Sequence, residues 1–509
     1  MVISLKSATF NYIKGRIIDI EVSITKGIPS FNIVGLPNVE IKESRERVRS
    51  AILNSGFKFP LGKITVNLAP ANIRKEGSLL DLCIATGILI CSKQINPIKN
   101  LFNTIILGEL SLDGHIKGIK GSIPIILDGK DDGYNSYVLS EDNYFETKII
   151  QNTDINYFNN FKSFVDYAEK GVVNNNTNLR RDNSCNIVKD NINLEDVLGH
   201  VSSKRAIQIA AAGFHNIILY GPVGSGKTML AKSFKSILPN LTYEESLDKG
   251  RIYNFTSIQE NYRQPVFREV SHTISKSSLI GSGRENKVGE MILSNNGVLF
   301  LDEMLEFKRE TLEVLRKVLE DRKIQLNKNN EMIEFPSNFI LLGATNLCPC
   351  GNYLNNSAIK QCVCDTVKRE RYINKISKSL LDRIDIFSYT PVIDYVDVGN
   401  KKDMRVTSKK ILETVVKARE IQYFRLKKFG IKYNSQMNND LVNKFCELSS
   451  SSKQTLETIY RKENISTRSY FKILKIARTI ADLNQSENIN DEHIMEVINY
   501  RKFISNQII

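Results

Sequence analysis

The sequence lacks any apolar run approaching the ~20 residues that a membrane-spanning helix requires. Its most apolar stretch, Leu79 to Cys91, is shorter and is interrupted by Asp81. The first residues, Met1 to Tyr12, contain no apolar core of the kind found in secretory signal peptides. We therefore expect a cytoplasmic protein with no membrane partner.

Cysteine is also sparse, with 8 residues in 509, which excludes a small disulfide-stapled scaffold and suits a reducing compartment. Internal repeats and coiled-coil heptads are absent from the sequence. A composition that is 41% hydrophobic and 25% charged is typical of globular proteins and excludes a largely disordered chain. The net charge of +14 permits nucleic acid as a partner, although a general richness in Lys, Asn and Ile explains it equally well.

Four segments differ in their pattern along the 509 residues, a length that predicts about three domains. Residues 1–170 mix alternating strand patterns with helices, which predicts an α+β domain. The Asn-rich residues 171–191 predict a linker. In residues 192–390 short apolar strands alternate with helices, which is typical of a parallel α/β sheet. Residues 391–509 show helical periodicity and predict a C-terminal helical domain.

The clearest elements can be given bounds. In the first segment the pattern predicts two strands and a helix: Ile17–Val22, Lys63–Leu68 and Val39–Asn54. In the last segment it predicts four helices: Ser408–Lys427, Asn439–Ser449, Ser466–Leu483 and Asp491–Ser505.

A phosphate-binding loop is indicated by Gly221-Pro222-Val223-Gly224-Ser225-Gly226-Lys227-Thr228. It follows the apolar run His215 to Tyr220 and precedes a helical run, so its strand–loop–helix context matches the motif. The glycines allow backbone N–H groups to surround a triphosphate. Lys227 would reach the β- and γ-phosphates of ATP, and the Thr228 hydroxyl would bind Mg²⁺. The alternative, a chance Gly-rich turn, does not account for the flanking strand and helix.

An acidic segment supplies the partner of this loop. Gly297 to Leu301 is a short apolar strand that ends in Asp302 and Glu303. Because ligands bind at the carboxyl ends of strands in open α/β sheets, we expect both carboxylates beside the nucleotide. Asp302 would hold Mg²⁺ and Glu303 would orient the attacking water. The alternative is an acidic turn without a ligand.

Two further polar residues follow apolar segments. Asn346 ends the strand that begins at Asn338, where its side chain could contact the γ-phosphate and the water. Arg383 lies in Asp382-Arg383-Ile384-Asp385 and, in a ring of subunits, could reach the nucleotide of a neighbour. A local ion pair with Asp382 or Asp385 is the alternative role for Arg383.

These residues, in this order, resemble the AAA+ ATPases, and more narrowly the magnesium-chelatase-like group called YifB or ComM. The resemblance spans nearly the whole chain. Besides the phosphate-binding loop, the Asp302-Glu303 pair and the cysteine pairs, it rests on Val34 to Pro37, Glu43 to Arg49, Thr65 to Ala71, Arg74 to Gly77, Gly108 to Gly114, His272 to Ser275 and Ala477 to Leu483.

The resemblance implies roles for individual residues. Gly221 to Thr228 correspond to the Walker A motif, and Asp302 and Glu303 to the Walker B motif. Asn346 corresponds to the sensor-1 position, and Arg383 is similar to the arginine finger. Arg468 is similar to the sensor-2 arginine of a C-terminal helical lid. The resemblance also implies a hexameric ring that binds ATP and Mg²⁺, and the group is implicated in branch migration of DNA during recombination and natural transformation.

A hairpin is predicted over Arg322 to Phe335, because apolar and polar residues alternate on both sides of Asn327-Lys328-Asn329-Asn330. In the related helicase clade a hairpin at this place lines the pore. Lys328 is therefore a candidate contact to DNA phosphates. A solvated hairpin without a ligand is the alternative.

Four cysteines lie close together in Cys348-Pro349-Cys350 and Cys362-Val363-Cys364. Four thiolates suit tetrahedral Zn²⁺, and a reducing cytoplasm favours a metal over disulfides. The spacing within each pair is tighter than the common Cys-x-x-Cys, so reduced thiols or a redox pair remain alternatives.

The N-terminal domain resembles the proteolytic domain of Lon. A Ser–Lys peptidase needs a serine nucleophile within hydrogen-bond reach of a lysine base. The position expected for the serine holds Leu79, with Ser78 one residue early, and the position expected for the lysine holds Pro124. We therefore predict no peptidase activity. Two functions stay open, a DNA translocase and a motor that remodels proteins.

Overall fold

The computed structural model of the protein describes residues 2–11, 13–36, 39–71, 75, 77–172, 192–254, 256, 261–283, 287–328, 331–355, 361–393, 407–462 and 466–507. The chain forms two compact units, one from residues 1–187 with 242–262 and one from residues 188–241 with 263–509. The predicted linker lies outside the described residues from position 173 onward. Among the described helices, none combines the length and apolar character needed to cross a membrane.

The strands of the described residues, in chain order, are β1 Val2–Asn11, β2 Lys14–Thr25, β3 Ser30–Val34, β4 Lys63–Ala69, β5 Ile105–Ile106, β6 Glu109–Leu110, β7 Ile116–Lys117, β8 Ser136–Ser140, β9 Asp154–Phe158, β10 Ile217–Tyr220, β11 Phe267–Val270, β12 Gly281–Ser282, β13 Lys287–Val288, β14 Val298–Leu301, β15 Lys323–Lys328, β16 Glu331–Pro336, β17 Ile340–Thr345 and β18 Ile386–Tyr389.

The α-helices of the same residues are α1 Val39–Asn54, α2 Asp81–Cys91, α3 Ser122–Asp131, α4 Tyr144–Thr147, α5 Phe161–Lys170, α6 Val201–Gly213, α7 Lys227–Ser233, α8 Tyr243–Tyr253, α9 Lys276–Ile280, α10 Glu290–Leu293, α11 Arg309–Asp321, α12 Thr366–Ile373, α13 Lys378–Leu381, α14 Ser408–Leu426, α15 Asn439–Phe445, α16 Ser450–Lys462, α17 Thr467–Leu483 and α18 Asp491–Gln507.

The first unit is built on a mixed sheet of seven strands in the order β3-β4-β2-β1-β5-β8-β9. In β2, Ile18, Ile20 and Val22 are buried while the residues between them are partly exposed, so the apolar alternation gives the strand one core face. The strands predicted at Ile17–Val22 and Lys63–Leu68 are confirmed as parts of β2 and β4. Helix α1 has the predicted bounds.

Helix α2 accounts for the most apolar stretch of the sequence. All eleven of its residues are buried, and it packs on β1 and β2. Asp81 at its start forms an ion pair with Arg47 of α1, with 2.7 Å between Oδ2 and Nε. This pairing gives the buried carboxylate a cationic partner. The stretch is a core helix.

Helix α8 belongs to the first unit, although it lies in the chain between α7 and β11 of the second. Asn254, which follows α8, accepts a hydrogen bond from the Ile123 N–H at 3.2 Å and donates one to Glu146 Oε2 at 2.7 Å. Arg251 forms an ion pair with Asp128 at 2.6 Å. Polar contacts therefore anchor the inserted helix, and no sequence motif marks it.

The second unit contains a parallel sheet of five strands in the order β11-β14-β17-β10-β18. Every residue of β14 and β17 is buried, as expected for parallel strands with helices on both faces. Leu301 pairs with Gly343, and Tyr220 pairs with Thr345, so β14, β17 and β10 end at the same edge of the sheet. The predicted parallel α/β sheet is confirmed.

The C-terminal part of the second unit is helical, as predicted. The predicted helices correspond to α14, α15, α17 and α18, although α15 ends at Phe445 instead of Ser449. The sequence pattern does not predict α16, because three serines at its start interrupt the apolar periodicity. Phe214, just after α6, stacks on Tyr433 with ring centroids 4.6 Å apart and links the helices to the sheet.

We expect Asn254→Ala to loosen α8 within the first unit. The substitution leaves the Ile123 N–H unpaired and removes one of three side-chain partners of the half-buried Glu146, which costs about 2 kcal/mol. Hydrogen exchange in peptides that cover α3 and α8 should accelerate by roughly thirtyfold. Asn135→Ala, at an exposed asparagine of the same unit, is the matched control. Unchanged protection in Asn254→Ala would contradict the anchoring role.

Candidate functional site

The loop after β10 has the predicted strand–loop–helix context, because α7 begins at Lys227. Gly224 and Gly226 both have φ near +79°, a left-handed conformation that glycine adopts without strain. A Cβ atom at Gly221 would lie 2.2 Å from the backbone oxygen of Thr390, so glycine is also required there. The sequence of the loop is thus fitted to a tight backbone turn at the edge of the sheet.

Lys227 lies inside this turn. Its Nζ donates hydrogen bonds to the backbone oxygens of Gly221 at 3.0 Å and Pro222 at 2.7 Å. Burial lowers the pKa of Lys227 to about 8, and the Asp302 carboxylate offsets part of that effect. A buried ammonium held by neutral oxygens lacks a full counter-charge, so an anion at this place would be strongly favoured.

Thr228 and Asp302 are in direct contact. The Thr228 hydroxyl donates to Asp302 Oδ2 at 2.9 Å, and the Glu303 N–H donates to Asp302 Oδ1 at 3.0 Å. Glu303 has φ near +50° and turns the chain sharply after β14, which leaves its side chain 60% exposed. A hydroxyl and a carboxylate are the oxygen ligands that Mg²⁺ prefers beside phosphates. The residues present therefore fit Mg²⁺.

The strand register brings Asn346 to the same edge. Asn346 directly follows β17, which lies between β14 and β10, and the Gly221 N–H donates to the Thr345 oxygen at 3.3 Å. The loop at Gly221, the carboxylates after β14 and the amide after β17 thus extend from three neighbouring strands.

Arg383 and Arg468 meet at a different place, around Glu320 of α11. Arg383 Nη2 forms an ion pair with Glu320 Oε2, and Arg468 Nη2 lies 3.5 Å from Glu320 Oε1. The hydrogen bond from Arg383 is the main cause of the lowered pKa of Glu320. All three residues line a cavity of about 820 Å³. Among the described residues, none from Gly221 to Thr228 lines this cavity.

The alternative role for Arg383 is a local ion pair with Asp382 or Asp385, but the structure shows an ion pair with a different residue. Arg383 pairs with Glu320, and Asp385 is engaged by Lys472 of α17, with 2.8 Å between Nζ and Oδ1. Asp385 Oδ2 also accepts from the Asn216 N–H at 3.1 Å. Burial opposes ionisation of Asp385, but the nearby Lys472 and His215 keep its pKa well below the usual range. This carboxylate fixes α17, which carries Arg468, to the segment that carries Arg383.

The four clustered cysteines converge. Their Sγ atoms all lie within 4.8 Å of one another. Individual separations are 3.3 Å from Cys348 to Cys350, 3.6 Å from Cys350 to Cys362 and 3.7 Å from Cys362 to Cys348. The Tyr353 N–H donates to Cys348 Sγ at 3.3 Å. The cluster has the donor set and compactness of a metal site.

The predicted hairpin is confirmed as β15 and β16, with Lys323 opposite Pro336 and Lys328 opposite Glu331. Its four alternating apolar residues are buried: Ile324, Leu326, Ile333 and Phe335. Lys328 is the last residue of β15 and lies next to the turn of the hairpin. The turn residues and the Lys328 side chain lie outside the described part of the hairpin.

In the first unit, Leu79 and Pro124 are buried at the two positions expected for a Ser–Lys dyad. Ser78 Oγ donates to Glu109 Oε2, and the buried Lys75 donates to the Pro70 oxygen. Burial lowers the pKa of Lys75. Ser78 and Lys75 are thus each paired with another group, and the absence of peptidase activity stays a prediction.

The sequence analysis missed Glu320 and used His272 only as part of the family resemblance. Glu320 is an ordinary acidic residue of an amphipathic helix, and no sequence signal connects it with two arginines more than sixty residues away. His272 Nδ1 lies 3.9 Å from Glu303 Oε2, although His272 follows a different strand. The pairing of β11 with β14 brings His272 near Glu303, whereas the packing of helices brings Glu320 to the two arginines.

Comparison with known families gives three matches along the chain. Residues 20–143 match "Subunit ChlI of Mg-chelatase", residues 193–398 match "Magnesium chelatase, subunit ChlI", and residues 405–501 match "Magnesium chelatase, subunit ChlI C-terminal". The three matches follow the order of the sequence segments.

Individual relatives are similar over nearly the full length. The chain is 35% identical to "Competence protein ComM" of Haemophilus influenzae, over 97% of this chain and 96% of that protein. It is 36% identical to "Uncharacterized protein YifB" of Escherichia coli, over 95% and 94%. An uncharacterized protein of Mycobacterium tuberculosis is 31% identical, over 96% of both chains.

The lowered pKa of Lys227 predicts that nucleotide binding takes up a proton near pH 8. A triphosphate favours the charged amine, whereas at pH 9 most free protein carries a neutral Lys227. Affinity should therefore fall by about tenfold from pH 7 to pH 9. Calorimetric titration of an ATP analogue in buffers of different ionisation enthalpy measures both the affinity and the proton uptake.

Lys227→Arg is the control for this titration, because arginine stays charged over this pH range. Its affinity for the analogue should be lower overall but should change little between pH 7 and pH 9. A flat pH profile in the unmodified protein, without proton uptake, would contradict the pKa shift of Lys227.

Proposed function

This chain belongs to the magnesium-chelatase-like ComM/YifB family, and from that membership we propose that it is an AAA+ ATPase that couples ATP hydrolysis to translocation on DNA. The observation that carries the ATPase part is the contact between Thr228 and Asp302, with Lys227 beside them and Glu303 next in the chain. A cation site, a phosphate-binding amine and an exposed carboxylate are the groups that phosphoryl transfer to water requires.

In the proposed reaction, water attacks the γ-phosphorus of ATP, and the bond to the bridging oxygen breaks to release ADP and phosphate. The Lys227 ammonium stabilises the charge on the phosphate oxygens. The exposed Glu303 carboxylate orients the water, and the Asn346 amide hydrogen-bonds the γ-phosphate. Thr228 and Asp302 would hold Mg²⁺, which when bound withdraws charge from the β- and γ-phosphates.

We propose that Arg383 and Arg468 act on the nucleotide of a neighbouring subunit. Both line a cavity that includes no residue of the phosphate-binding loop among those described, which supports a second, separate half-site on each chain. A ring closes when each half-site meets the complementary half-site of the next copy. The proposed assembly is a homohexamer, with the C-terminal helices as its lid.

The DNA part of the proposal rests on charge and on the relatives. The net charge of +14 favours a polyanion, and one relative is named a competence protein. Lys328 at the end of the β15–β16 hairpin is the proposed phosphate contact. The process would be branch migration in recombination or natural transformation, in the cytoplasm, with the N-terminal Lon-like unit as a module without peptidase activity.

We further propose that the metal held by Cys348, Cys350, Cys362 and Cys364 is Zn²⁺. Sulfur atoms at the corners of a tetrahedron around Zn²⁺, each ~2.3 Å from the metal, are about 3.8 Å apart. The separations of 3.6 and 3.7 Å match that edge, and the separation of 3.3 Å within the Cys348–Cys350 pair is shorter. The metal content of the purified protein is the measurement that tests this assignment.

Arg383→Ala should lower ATP turnover by about a thousandfold while leaving ATP affinity within about twofold. Mixing it with Lys227→Ala should restore part of the activity, because Lys227→Ala subunits supply Arg383 to neighbours that still bind ATP. Arg371→Ala, at an exposed arginine of α12, is the control and should keep full turnover. If the mixture stays as inactive as its components, the action of Arg383 across subunits is wrong.

DNA should stimulate ATP turnover severalfold at low salt, and Glu303→Gln should abolish that turnover. Lys328→Ala should weaken DNA binding and reduce its salt dependence by about one released ion. Lys323→Ala is matched in chemistry and lies at the base of the same hairpin, where Lys323 pairs with Glu334 at 3.0 Å, and it should bind DNA normally.

Single-stranded and forked DNA are the two substrates for this assay. Clean ATP turnover that neither DNA changes, together with stimulation by an unfolded protein, would overturn the translocase and favour the protein-remodelling motor. Equal losses in Lys328→Ala and Lys323→Ala would contradict a specific role for Lys328.

A further inference from the structure

The cysteine cluster and the phosphate-binding loop are connected through Gly351. The Val223 N–H, in the middle of that loop, donates a hydrogen bond to the Gly351 oxygen at 2.8 Å. Gly351 directly follows Cys350. The residue next to a cysteine of the cluster is therefore hydrogen-bonded to the backbone that would surround the phosphates.

Gly351 is fitted closely against this loop. It has φ near +75°, and a Cβ atom there would lie 2.2 Å from Cγ2 of Val223 and 3.7 Å from the Asn346 amide nitrogen. The turn at Gly351 thus packs between the phosphate-binding loop and the amide that follows β17. A displacement of this turn would therefore break or strain the hydrogen bond from Val223.

The second cysteine pair lies in an irregular segment that contacts the first pair through its sulfur atoms and through backbone hydrogen bonds at Val363 and Cys364. Residues 361–365 form no helix or strand, and Val363 between the two cysteines is 87% exposed. Cys350 and Cys362, by contrast, bring their sulfurs to 3.6 Å. Thiolates that close repel one another unless a cation lies between them. A bound cation would therefore hold the two pairs together once their thiols have lost their protons.

We propose that the metal bound by the four cysteines sets the position of the phosphate-binding loop through Gly351, so that nucleotide affinity depends on the metal. The ligand class is a thiophilic divalent cation, with Zn²⁺ as the best match to the donor set. The inference rests on the proposed ATPase function and on the proposed metal. It adds a control of nucleotide binding that neither of them contains.

The test measures the affinity of the full chain for a fluorescent ATP analogue, in the presence of Mg²⁺ and without DNA or turnover. Removal of the metal with a chelator and a thiol reductant should weaken binding by about five- to tenfold, the range expected for a lost hydrogen bond. Added Zn²⁺ should restore the affinity, and further Mg²⁺ should not.

Two variants separate the contact from the metal. Gly351→Ala keeps all four cysteines, so it should retain the metal, lose affinity by a similar factor, and respond little to the chelator because one shared contact cannot be lost twice. Cys446→Ser makes a cysteine substitution at a buried thiol outside the cluster and should keep both metal and affinity.

The outcomes are distinct. A metal-bound protein whose affinity is unchanged by metal removal overturns the inference while leaving the ATPase and zinc proposals intact. Absence of a bound metal overturns it at its premise. Equal losses of affinity in Cys446→Ser and in the metal-free protein also overturn it, because the effect would then be general destabilisation.

Discussion

The shared end point of β10, β14 and β17 is the constraint on which the proposed nucleotide site depends. Parallel pairing of Leu301 with Gly343 and of Tyr220 with Thr345 ends three strands at one edge. The phosphate-binding loop, the Asp302-Glu303 pair and Asn346 follow directly from those ends. Because a strand displaced by one residue would reverse which side chains face each layer, the buried strands resist any shift of this register. The hydrogen-bonded register of the three strands therefore positions the side chains of this site.

A buried carboxylate plays the corresponding role for the arginine cavity. Asp385 joins Lys472 of α17 and the Asn216 N–H, while Arg501 donates to its backbone oxygen at 2.8 Å. Burial lowers the pKa of Lys472 to about 8, even though the Asp385 carboxylate beside it favours the charged amine. Removing either ion would leave the other buried and unpaired, a loss of several kcal/mol in comparable sites. Arg383 and Arg468 thus keep one relative position because their supporting segments share this ion pair.

Local patterns predict local structure well here, and contacts between distant segments poorly. The helix Val39–Asn54, the β15–β16 hairpin and the buried strands follow from apolar periodicity, and the phosphate-binding loop follows from its glycines. Helix α16 is missed because its serines break the period. Helix α8 belongs to the first unit because of how it packs there. The pairing of Glu320 with both arginines also depends on packing between elements. Neither leaves a signature in residue spacing, so neither could be predicted from one sequence.

The Arg383–Glu320 pair is asymmetric in a way that bears on the proposed ring. The Arg383 side chain is 9% exposed, whereas that of Glu320 is 52% exposed. A largely buried guanidinium needs an anion within reach, since its charge cannot be neutralised by loss of a proton. An exposed carboxylate, by contrast, is rehydrated at little cost when it leaves. A phosphate from a neighbouring subunit would therefore exchange with Glu320 at an arginine already desolvated and oriented. Arg383 is thus already positioned within one chain, and in the proposed ring the neighbouring subunit would only have to bring an anion.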